Sequence, residues 1–160
     1  MPDSEMPMIR PYREADLEAV VRLFTASVHQ LASRYYNAEQ IAAWAPQAPD
    51  LNGWSARLAS EETRVADIAG ELAGFIAYET NGHIDLLYAS PPYCGRGVAA
   101  ALFRQTEAEL AQRGVTELYT EASLAARGFF ERCGFTVEAE QHVQRNGVTL
   151  RRYAMRRSAD

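Results

Sequence analysis

The stretch that decides the fold is His83–Arg113, HIDLLYASPPYCGRGVAAALFRQTEAELAQR. It begins with an apolar run, Ile84–Ala89, turns at a Pro-Pro pair and passes through Gly95-Arg96-Gly97 into residues of helical spacing. This order predicts a strand, a glycine-rich turn and a helix. Glycine lets the backbone turn tightly beside a ligand, and the start of a helix offers unpaired N–H groups. The stretch therefore predicts an anion cradle of the kind that most often binds phosphate.

Taken alone, the glycine pattern leaves several interpretations open. One is a plain strand-to-helix turn without any ligand. A Walker loop does not fit, because the glycines run into Val98-Ala99-Ala100 instead of Gly-Lys-Ser/Thr. A dinucleotide fingerprint fits Gly95, Gly97 and Ala100 formally. That fingerprint should follow its strand directly, near the start of a βαβαβ half, and here Ser90–Cys94 intervene.

Two longer motifs point to a known family. The segment Tyr93–Leu102 resembles the acetyl-CoA-binding signature of the GNAT acyltransferases, Gln/Arg-x-x-Gly-x-Gly/Ala. Gly97 and Ala99 stand at its small positions, and Cys94 stands where the family has Gln or Arg. A second segment, Ser123–Phe135, resembles the family's Asn-x-x-Ala-x-x-Leu-Tyr-x-Lys-x-Gly-Phe. The combination of His83-Ile84-Asp85 with Ala122-Ser123 and Phe129-Phe130-Glu131-Arg132 resembles the small bacterial YafP-like branch of the family.

The resemblance implies both a fold and a function. The implied fold is α+β, a twisted and mostly antiparallel mixed sheet with one central parallel strand pair and about four flanking helices. The implied function is an N-acetyltransferase that moves the acetyl group of acetyl-CoA to a primary amine of a small molecule or peptide, by direct attack in a ternary complex. The alternatives are a non-catalytic acyl-CoA-binding or regulatory module of the same fold and, less favoured, a nucleotide-binding domain.

Hydrophobic periodicity and turn residues predict the order of the elements. The predicted strands cover Met8–Tyr12, Thr63–Ala69, Leu72–Glu79, His83–Ala89, Val115–Ala122, Phe135–Val143 and Val148–Met155. The predicted helices begin near Glu14, at Ala38, at Val98 and at Ala125, with one further helical turn over Trp54–Ala59. Because a helix connects them, the strands on either side of the Val98 helix must be parallel.

Length and composition limit the classes of function. A chain of 160 residues with 48% apolar residues predicts one domain, residues 1–160. Its net charge of −5 argues against a nucleic acid bound by bulk electrostatics. Neither a signal peptide nor a membrane-spanning run is present, which predicts a cytoplasmic protein. Cys94 and Cys133 are predicted to be reduced thiols, and no Cys/His spacing predicts a metal. A homodimer is left open.

The resemblance also implies a cofactor site. The N–H groups of Gly95–Ala99 are expected to bind the pyrophosphate of acetyl-CoA, and the main chain of the preceding strand its pantetheine arm. Arg96 is either an added positive charge or a solvated surface arginine. The expected cofactor-binding residues are Leu87, Tyr88, Ala89, Cys94, Gly95, Arg96, Gly97, Val98, Ala99, Ser123, Ala126, Phe129 and Phe130.

His83 and Asp85 are the candidates for the general base. They are two positions apart in a predicted strand and therefore point to the same face. Members of the family often place a carboxylate on this strand, and the ordinary pKa of histidine, about 6.5, suits a base near neutral pH. The alternative for His83 is an exposed residue beside a hairpin turn.

The general acid is where the chain departs from the family. Phe130 occupies the position of the usual tyrosine, and its ring cannot donate a proton. Either the thiolate leaves unassisted, or another side chain takes the role, or the chain binds acyl-CoA without transfer. The substitutes considered are Cys133, Ser123, Tyr119 and Tyr88. Ser123 also suits a helix N-cap, and Cys133 a small buried hydrophobic residue.

The acceptor is expected between the first two helices and the open end of the sheet. Aromatic residues cluster there in the sequence, and Tyr35, Trp44 and Trp54 are predicted to contact the acceptor, with Tyr36 beside them. Three acidic residues could also attract a cationic amine, and the sequence does not favour one over the others: Glu39, Asp50 and Asp67.

Overall fold

The computed structural model of the chain describes residues 6–158. The strands are β1 (Met8–Pro11), β2 (Glu62–Ile68), β3 (Glu71–Tyr78), β4 (His83–Ala89), β5 (Leu118–Ser123), β6 (Thr136–Arg145) and β7 (Val148–Arg157). The α-helices are α1 (Leu17–Leu31), α2 (Ala38–Trp44), α3 (Leu51–Ser60), α4 (Val98–Gln112) and α5 (Arg127–Arg132). Short 3₁₀ turns cover Glu14–Asp16 and Pro91–Tyr93.

The seven strands form one sheet in the order β1-β2-β3-β4-β5-β7-β6. Every neighbouring pair is antiparallel except β4 and β5, which are parallel. The predicted mixed sheet with one central parallel pair is therefore confirmed. The parallel pair joins the antiparallel β1–β4 meander to the C-terminal hairpin.

The residues around α3 form a longer helix than the sequence predicted. The single turn over Trp54–Ala59 is part of a full helix that begins at Leu51, which makes five helices in the described residues instead of about four. The Asp50 carboxylate accepts a hydrogen bond from the Gly53 N–H at 3.1 Å and so caps the helix. The prediction missed this start because Gly53, a weak helix former, lies in the first turn.

The observed starts of β5 and α5 also differ from the predicted ones. The strand predicted over Val115–Ala122 begins only at Leu118, because the Val115 N–H bonds to the Leu110 carbonyl at 2.9 Å and stays with the end of α4. Helix α5 begins at Arg127 and not at Ala125. There the Ala126 N–H bonds to the Ser123 carbonyl and to the Ser123 hydroxyl, both at 3.1 Å, which closes a turn before the helix.

The apolar core lies on both faces of the sheet. One cluster packs α4 and α5 on the sheet, and the other packs α1, α2 and α3 on the opposite face. Helix α4 lies very close to β3, since a Cβ on Gly74 would be 2.7 Å from the Val98 side chain and 2.9 Å from the Tyr88 carbonyl oxygen. Each fully buried side chain such as Leu102 contributes about 1.5–3 kcal/mol to this packing.

Strands β4 and β5 separate soon after they meet. Their register contains only the pairs His83–Tyr119 and Ile84–Thr120, and β5 continues along β7 as far as Ser123. Beyond Ile84 the edge of β4 therefore faces a gap. This gap between the two central strands is where the fold places a site.

A β-bulge in β4 decides which side chains face that site. Tyr78 pairs with Ile84 while the preceding Ala77 pairs with Leu86, so Asp85 is the extra residue. After the bulge, Leu86 packs with the cluster around α1, and Leu87 with the cluster around α4. The bulge thus lets Asp85 and Leu86 face the same side of the sheet.

Candidate active site

A groove of about 790 Å³ lies in the gap between β4 and β5. It runs from the end of β4 across the glycine turn to the start of α4, with α5 on the other side. Nearly all the predicted cofactor-binding residues line it: Leu87, Tyr88, Ala89, Cys94, Gly95, Gly97, Val98, Ala99, Ser123, Ala126, Phe129 and Phe130. Arg96 is not among the lining residues, because its guanidinium lies over the Tyr93 ring, 5.3 Å from the ring centroid.

The start of α4 offers free N–H groups to this groove. The first bond of the helix joins the Ala101 N–H to the Gly97 carbonyl at 3.0 Å, which leaves the N–H groups of Val98–Ala100 without a helical partner. Gly97 has φ +84° and ψ 7°, a left-handed conformation that a side chain would strain. These amides point at the groove from the positive end of a 15-residue helix, an arrangement suited to an anion.

The edge of β4 offers further main-chain groups. The Ser90 N–H bonds to the Ala73 carbonyl at 2.8 Å, so these two form a bonded pair of the antiparallel ladder. Bonded and non-bonded pairs alternate along such a ladder, which turns the N–H and C=O groups of Leu87 and Ala89 away from β3. They face the gap towards β5, where an extended ligand can complete the ladder.

A second cavity of about 240 Å³ opens on the side of α1, α2 and α3. Its walls are aromatic and its rim is charged, and it is lined by Phe24, Tyr36, Trp44, Trp54, Arg57, Asp85, Leu86, Tyr88, Glu121, Ser123, Val143, Arg145, Leu150, Arg151 and Arg152. We call it the acceptor pocket. Trp44 and Trp54 line it, in agreement with their predicted position.

Tyr35 does not line the acceptor pocket; it is 48% exposed and lines the groove. Its neighbour Tyr36 lines the acceptor pocket and is almost completely buried. The Tyr36 hydroxyl donates to the Arg151 carbonyl at 2.6 Å and accepts from the Leu124 N–H at 3.0 Å. The two tyrosines point to different cavities because they are adjacent in a turn, and this turn ties α1 to β7.

Groove and acceptor pocket meet at three residues, Trp44, Tyr88 and Ser123, which line both. Burial raises the pKa of Tyr88 well above its usual range, so its hydroxyl stays protonated. Ser123 is not the N-cap of α5, which is Ala126; the Ser123 hydroxyl oxygen accepts from the Ala126 N–H at 3.1 Å in the turn before the helix, and its own proton is free to donate. The meeting point thus has two hydroxyl groups and an indole ring.

His83 lies between two carboxylates behind the acceptor pocket. Its Nδ1 is 2.7 Å from Glu79 Oε1 and its Nε2 is 2.7 Å from Glu121 Oε1. The hydrogen bond to Glu121 raises the pKa of His83 to about 9, and the bond to Glu79 adds to the effect. At neutral pH the imidazole is therefore a cation with no free lone pair. Only Glu121 of these three lines the acceptor pocket.

Asp85 is also fully engaged. Arg57 holds its two oxygens with Nε and Nη2 at 3.0 and 2.9 Å. Burial opposes ionisation of Asp85, but the hydrogen bonds from Arg57 and from Glu61 lower its pKa overall. Burial, together with the neighbouring Asp85, raises the pKa of Glu61 to about 8, so Glu61 is protonated at neutral pH. A carboxylate held in this way is a weak base.

The structure does not bring all the other candidates to the site. Cys133 lines neither cavity and packs at the edge of the core beside α4, where burial raises its thiol pKa. Tyr119 stacks on the His83 ring with centroids 4.7 Å apart and also lines neither cavity. Phe130 lines the groove but is only 4% exposed and packs on the ring of Phe135, 5.1 Å away.

The three acidic residues proposed to attract an amine also lie elsewhere. Asp50 caps α3, Asp67 pairs with Arg10 at 2.8 Å, and Glu39 is exposed on α2. None of them lines the acceptor pocket.

Several residues of the acceptor pocket were given no role in acetyl transfer from the sequence. Glu121 had a detectable signal, because it lies two positions before Ser123 in a predicted strand and so shares its face. No sequence pattern indicated the three arginines, because they come from separate elements that only the fold brings together: Arg57, Arg145 and Arg152.

Comparisons with known proteins agree with this geometry. Residues 32–157 match a model described as an acetyltransferase (GNAT) domain. The uncharacterized N-acetyltransferase YafP of Escherichia coli (strain K12) is 34% identical over 148 residues, which is 92% of this chain and 93% of that protein. The crystal structure of a GCN5-related N-acetyltransferase from Rhodopseudomonas palustris matches with a TM-score of 0.92 at 34% identity, over 96% of both chains.

A more distant structure is the paiA N-acetyltransferase of Thermoplasma acidophilum in complex with coenzyme A. It matches with a TM-score of 0.77 at 20% identity, over 96% of this chain and 99% of that one. At this identity the match concerns the fold. Within residues 6–158, no helix is long and apolar enough to cross a membrane.

Proposed function

Since the chain belongs to the GNAT acetyltransferase family and is therefore an acyltransferase, we propose that it moves the acetyl group of acetyl-CoA to a primary amine in a ternary complex. The main support for this proposal is the arrangement of the two cavities. The groove and the acceptor pocket are two distinct cavities, and they share Trp44, Tyr88 and Ser123. Two substrates, one bound in each cavity, would meet there without a covalent enzyme intermediate.

The groove has the groups that acetyl-CoA needs. The free amides of Val98–Ala100 suit the pyrophosphate, and the outward main-chain groups of Leu87 and Ala89 suit the amide-rich pantetheine arm. Gly97 keeps the approach to these amides open, since no atom lies within 4 Å of the place a Cβ would take. When bound, acetyl-CoA supplies a thioester whose carbonyl carbon is open to attack by an amine.

The proton of the amine must leave before the attack. Glu121 is the carboxylate of the acceptor pocket, and it lies 2.7 Å from His83 Nε2. In the proposed step an amine N–H bond breaks and its electron pair stays on nitrogen. The proton passes to Glu121 and on to His83, once His83 has released its own proton to solvent by way of the exposed Glu79. The pKa of about 9 at His83 is close to that of an alkylamine, about 10.4 for lysine, so this transfer costs little. A second proton leaves the nitrogen when the C–S bond breaks, and it neutralises the thiolate after its departure.

The leaving thiolate needs no acid in this proposal. A thiol has a pKa of about 8.5, so its anion is stable enough to leave unaided near neutral pH. Phe130 has no proton to give, and Tyr88 holds its proton tightly because it is buried. The role of Tyr88 and Ser123 is to position the reacting groups at the meeting point of the cavities.

Two measurements on the wild-type protein test the proposal. Acetyl-CoA should raise the melting temperature in a concentration-dependent way, whereas NAD and ATP should not. A panel of amines should then contain at least one that releases free CoA thiol and forms the N-acetyl product. Stabilisation by acetyl-CoA without acetylation of any amine would instead support the acyl-CoA-binding module. No stabilisation would overturn the cofactor site itself.

Other expectations stay predictions. We expect a single domain and a cytoplasmic location, with no metal and no nucleic-acid partner, and a homodimer remains open. The charges of the acceptor pocket limit the chemical class of the acceptor amine.

A further inference from the structure

The acceptor pocket contains more positive than negative side chains. Asp85 and Glu121 are its carboxylates, and Arg57, Arg145 and Arg152 are arginines whose side chains face it. For Arg152 and Arg145 this orientation follows from strand alternation. Arg152 shares the face of Leu150 in β7, Arg145 shares that of Val143 in β6, and Val143 and Leu150 are paired across the two strands.

Each carboxylate of the pocket already has a cationic partner. Asp85 is held by Arg57 at 2.9 Å, and Glu121 is held by the charged His83 at 2.7 Å. Asp85 and Arg57 form a balanced pair, whereas the His83 cation behind the pocket is shared between Glu121 and Glu79. These contacts leave no carboxylate of the pocket free to attract a cationic substrate, although one of them sits where an amine must lose its proton.

Arg145 and Arg152 are not balanced in this way. Arg152 donates from Nε to the side-chain oxygen of Gln141 at 2.8 Å, and Arg145 donates from Nη1 to the Gln144 carbonyl at 3.1 Å. Among residues 6–158 neither forms a salt bridge with a carboxylate. Both partners are neutral, so most of the donors of each guanidinium remain for a ligand.

The neighbouring Arg151 shows the contrast. It also belongs to the pocket wall, but alternation turns its side chain to the other face of β7, where it approaches Glu140 at 4.0 Å. Its carbonyl, which accepts from Tyr36, is what faces the pocket. The sequence Arg151-Arg152 thus places one arginine outside the pocket beside a carboxylate and one inside the pocket that forms no salt bridge among the described residues.

The positions of the charges place a cation beside the reacting end of the pocket. Glu121 and Ser123 lie on β5 beside the meeting point with the groove, and Arg152 lies on β7 directly opposite Ser123 in the antiparallel ladder. Arg145 lies further along the C-terminal hairpin, and Trp44 and Trp54 line the same pocket. A volume of about 240 Å³ is less than a drug-sized ligand requires. A small molecule that carries an amine and an anionic group close together, with apolar atoms beside them, fits this pattern.

We propose that the acceptor is a small amino acid-like amine whose carboxylate binds Arg152, with Arg145 beside it. This inference rests on the proposed acetyl transfer and adds the class of acceptor. A guanidinium can hold a carboxylate with two parallel hydrogen bonds, which gives both affinity and orientation. That orientation turns the amine towards Glu121 and the thioester.

The test compares matched pairs of acceptors, each an amino acid and the same amine without its carboxylate, for example phenylalanine and phenethylamine. In the wild type, kcat/KM should be at least about tenfold higher for the amino acid, as expected for a charge-assisted contact. The variant R152Q should lose this preference, because kcat/KM should fall about tenfold or more for the amino acid and much less for the amine without a carboxylate. R113Q, which removes the same charge from an exposed site beside Glu62, should keep the preference.

Two further variants and one further acceptor extend the test. R152K keeps the charge without the two-pronged geometry and should restore only part of the preference, and R145Q should weaken it less than R152Q does. An aminoalkyl phosphate is also included among the acceptors, to test whether the pocket prefers a carboxylate or a phosphate on the acceptor. A better rate with the phosphate would overturn the carboxylate assignment.

The failures of the two proposals are distinguishable. If amines without a carboxylate are acetylated as well as amino acids, or better, acetyl transfer stands and the inference about the acceptor falls. If acetyl-CoA binds and no amine of either kind is acetylated, the transfer itself fails, and the inference falls with it. If R113Q reduces the preference as much as R152Q does, the effect is one of overall charge and not of the pocket.

Discussion

The groove and the acceptor pocket differ in how they are built. The groove offers main-chain groups from two short stretches of sequence, the end of β4 with the start of α4 and the end of β5 with the start of α5, and the end of α1 and Trp44 complete its lining. The acceptor pocket is made of large and charged side chains from helices α1, α2 and α3 and strands β4 to β7. Main-chain groups are sufficient to bind acetyl-CoA, the substrate expected in the groove. Recognition of one acceptor amine requires specific side chains, and these line the acceptor pocket.

The same difference shows in the electrostatics. In the groove the favourable field for an anion comes from peptide dipoles at the start of α4, which do not titrate. In the acceptor pocket the charges titrate and interact, and the pKa of His83 reaches about 9 because of its carboxylate neighbours. We therefore expect substitutions in the groove to change acetyl-CoA binding and substitutions in the acceptor pocket to change turnover and its pH dependence. The following predictions test that division.

The largest effect should come from Glu121→Gln. Loss of the carboxylate that receives the amine proton should lower kcat by about 10²- to 10³-fold, while the Kd for acetyl-CoA stays near that of the wild type. The matched control is Glu117→Gln, just before β5, where the carboxylate is exposed and lies 3.6 Å from Arg156. Steady-state kinetics and calorimetric binding of acetyl-CoA measure both. A Glu121→Gln enzyme with full turnover would remove Glu121 from the mechanism.

The next effect concerns the groove alone. Gly97→Val should weaken acetyl-CoA binding by about 10- to 100-fold, because the side chain strains the left-handed turn and crowds the free amides. Gly114→Val is the control at the other end of α4, since Gly114 has φ +81° and Gly97 φ +84°. Both should lose a similar amount of stability, about 1–2 kcal/mol. Equal loss of acetyl-CoA affinity in the two variants would show that the effect is only one of stability.

A smaller effect should appear in the pH profile of His83→Gln. Below its pKa of about 9, His83 is charged, so the fraction of wild-type enzyme able to take a proton rises about tenfold per pH unit and levels off above pH 9. The variant lacks this titration. The ratio of wild-type to variant kcat/KM should therefore rise between pH 7 and 9, and the titration of the amine itself cancels in the ratio. A ratio that does not change with pH would exclude His83 from proton transfer.

The smallest effect should come from Phe130→Tyr, which restores the tyrosine typical of the family. If the thiolate leaves without an acid, kcat should change by less than about threefold. The added hydroxyl meets a tightly packed region beside Phe129 and Phe135, so a modest loss of melting temperature is expected as well. A rise in kcat of about tenfold or more would show that an acid is useful and that the wild type lacks it.

Prediction from the sequence succeeded where contacts are local. The strand, glycine turn and helix of His83–Arg113 follow from alternation, glycine conformation and helical spacing within one stretch, and the groove residues of that stretch came with it. It was less successful where a contact depends on distant elements. The sequence could not show that Tyr36 rather than Tyr35 faces the acceptor pocket, because a bond to the Arg151 carbonyl in β7 fixes that choice.

The role expected for His83 shows the same limit. Its spacing from Asp85 was correctly placed on one strand, and both lie on the acceptor side of the sheet. Its partners, however, come from β5 and from the residue just after β3, and they turn a neutral base into a cation at neutral pH. Ordinary pKa values describe isolated side chains, and only the folded neighbours decide the shift.

The sequence by itself determined the mixed sheet, the parallel pair at its centre and the glycine turn that opens α4, because these depend on neighbours along the chain. Only the tertiary structure decided which side chains form the acceptor pocket. Strand pairing brings Arg152 and Arg145 to one face, the β4 bulge directs Asp85, and packing sets the pKa of His83. Contacts between distant residues carry no local pattern, and the chemistry of the acceptor depends on those contacts.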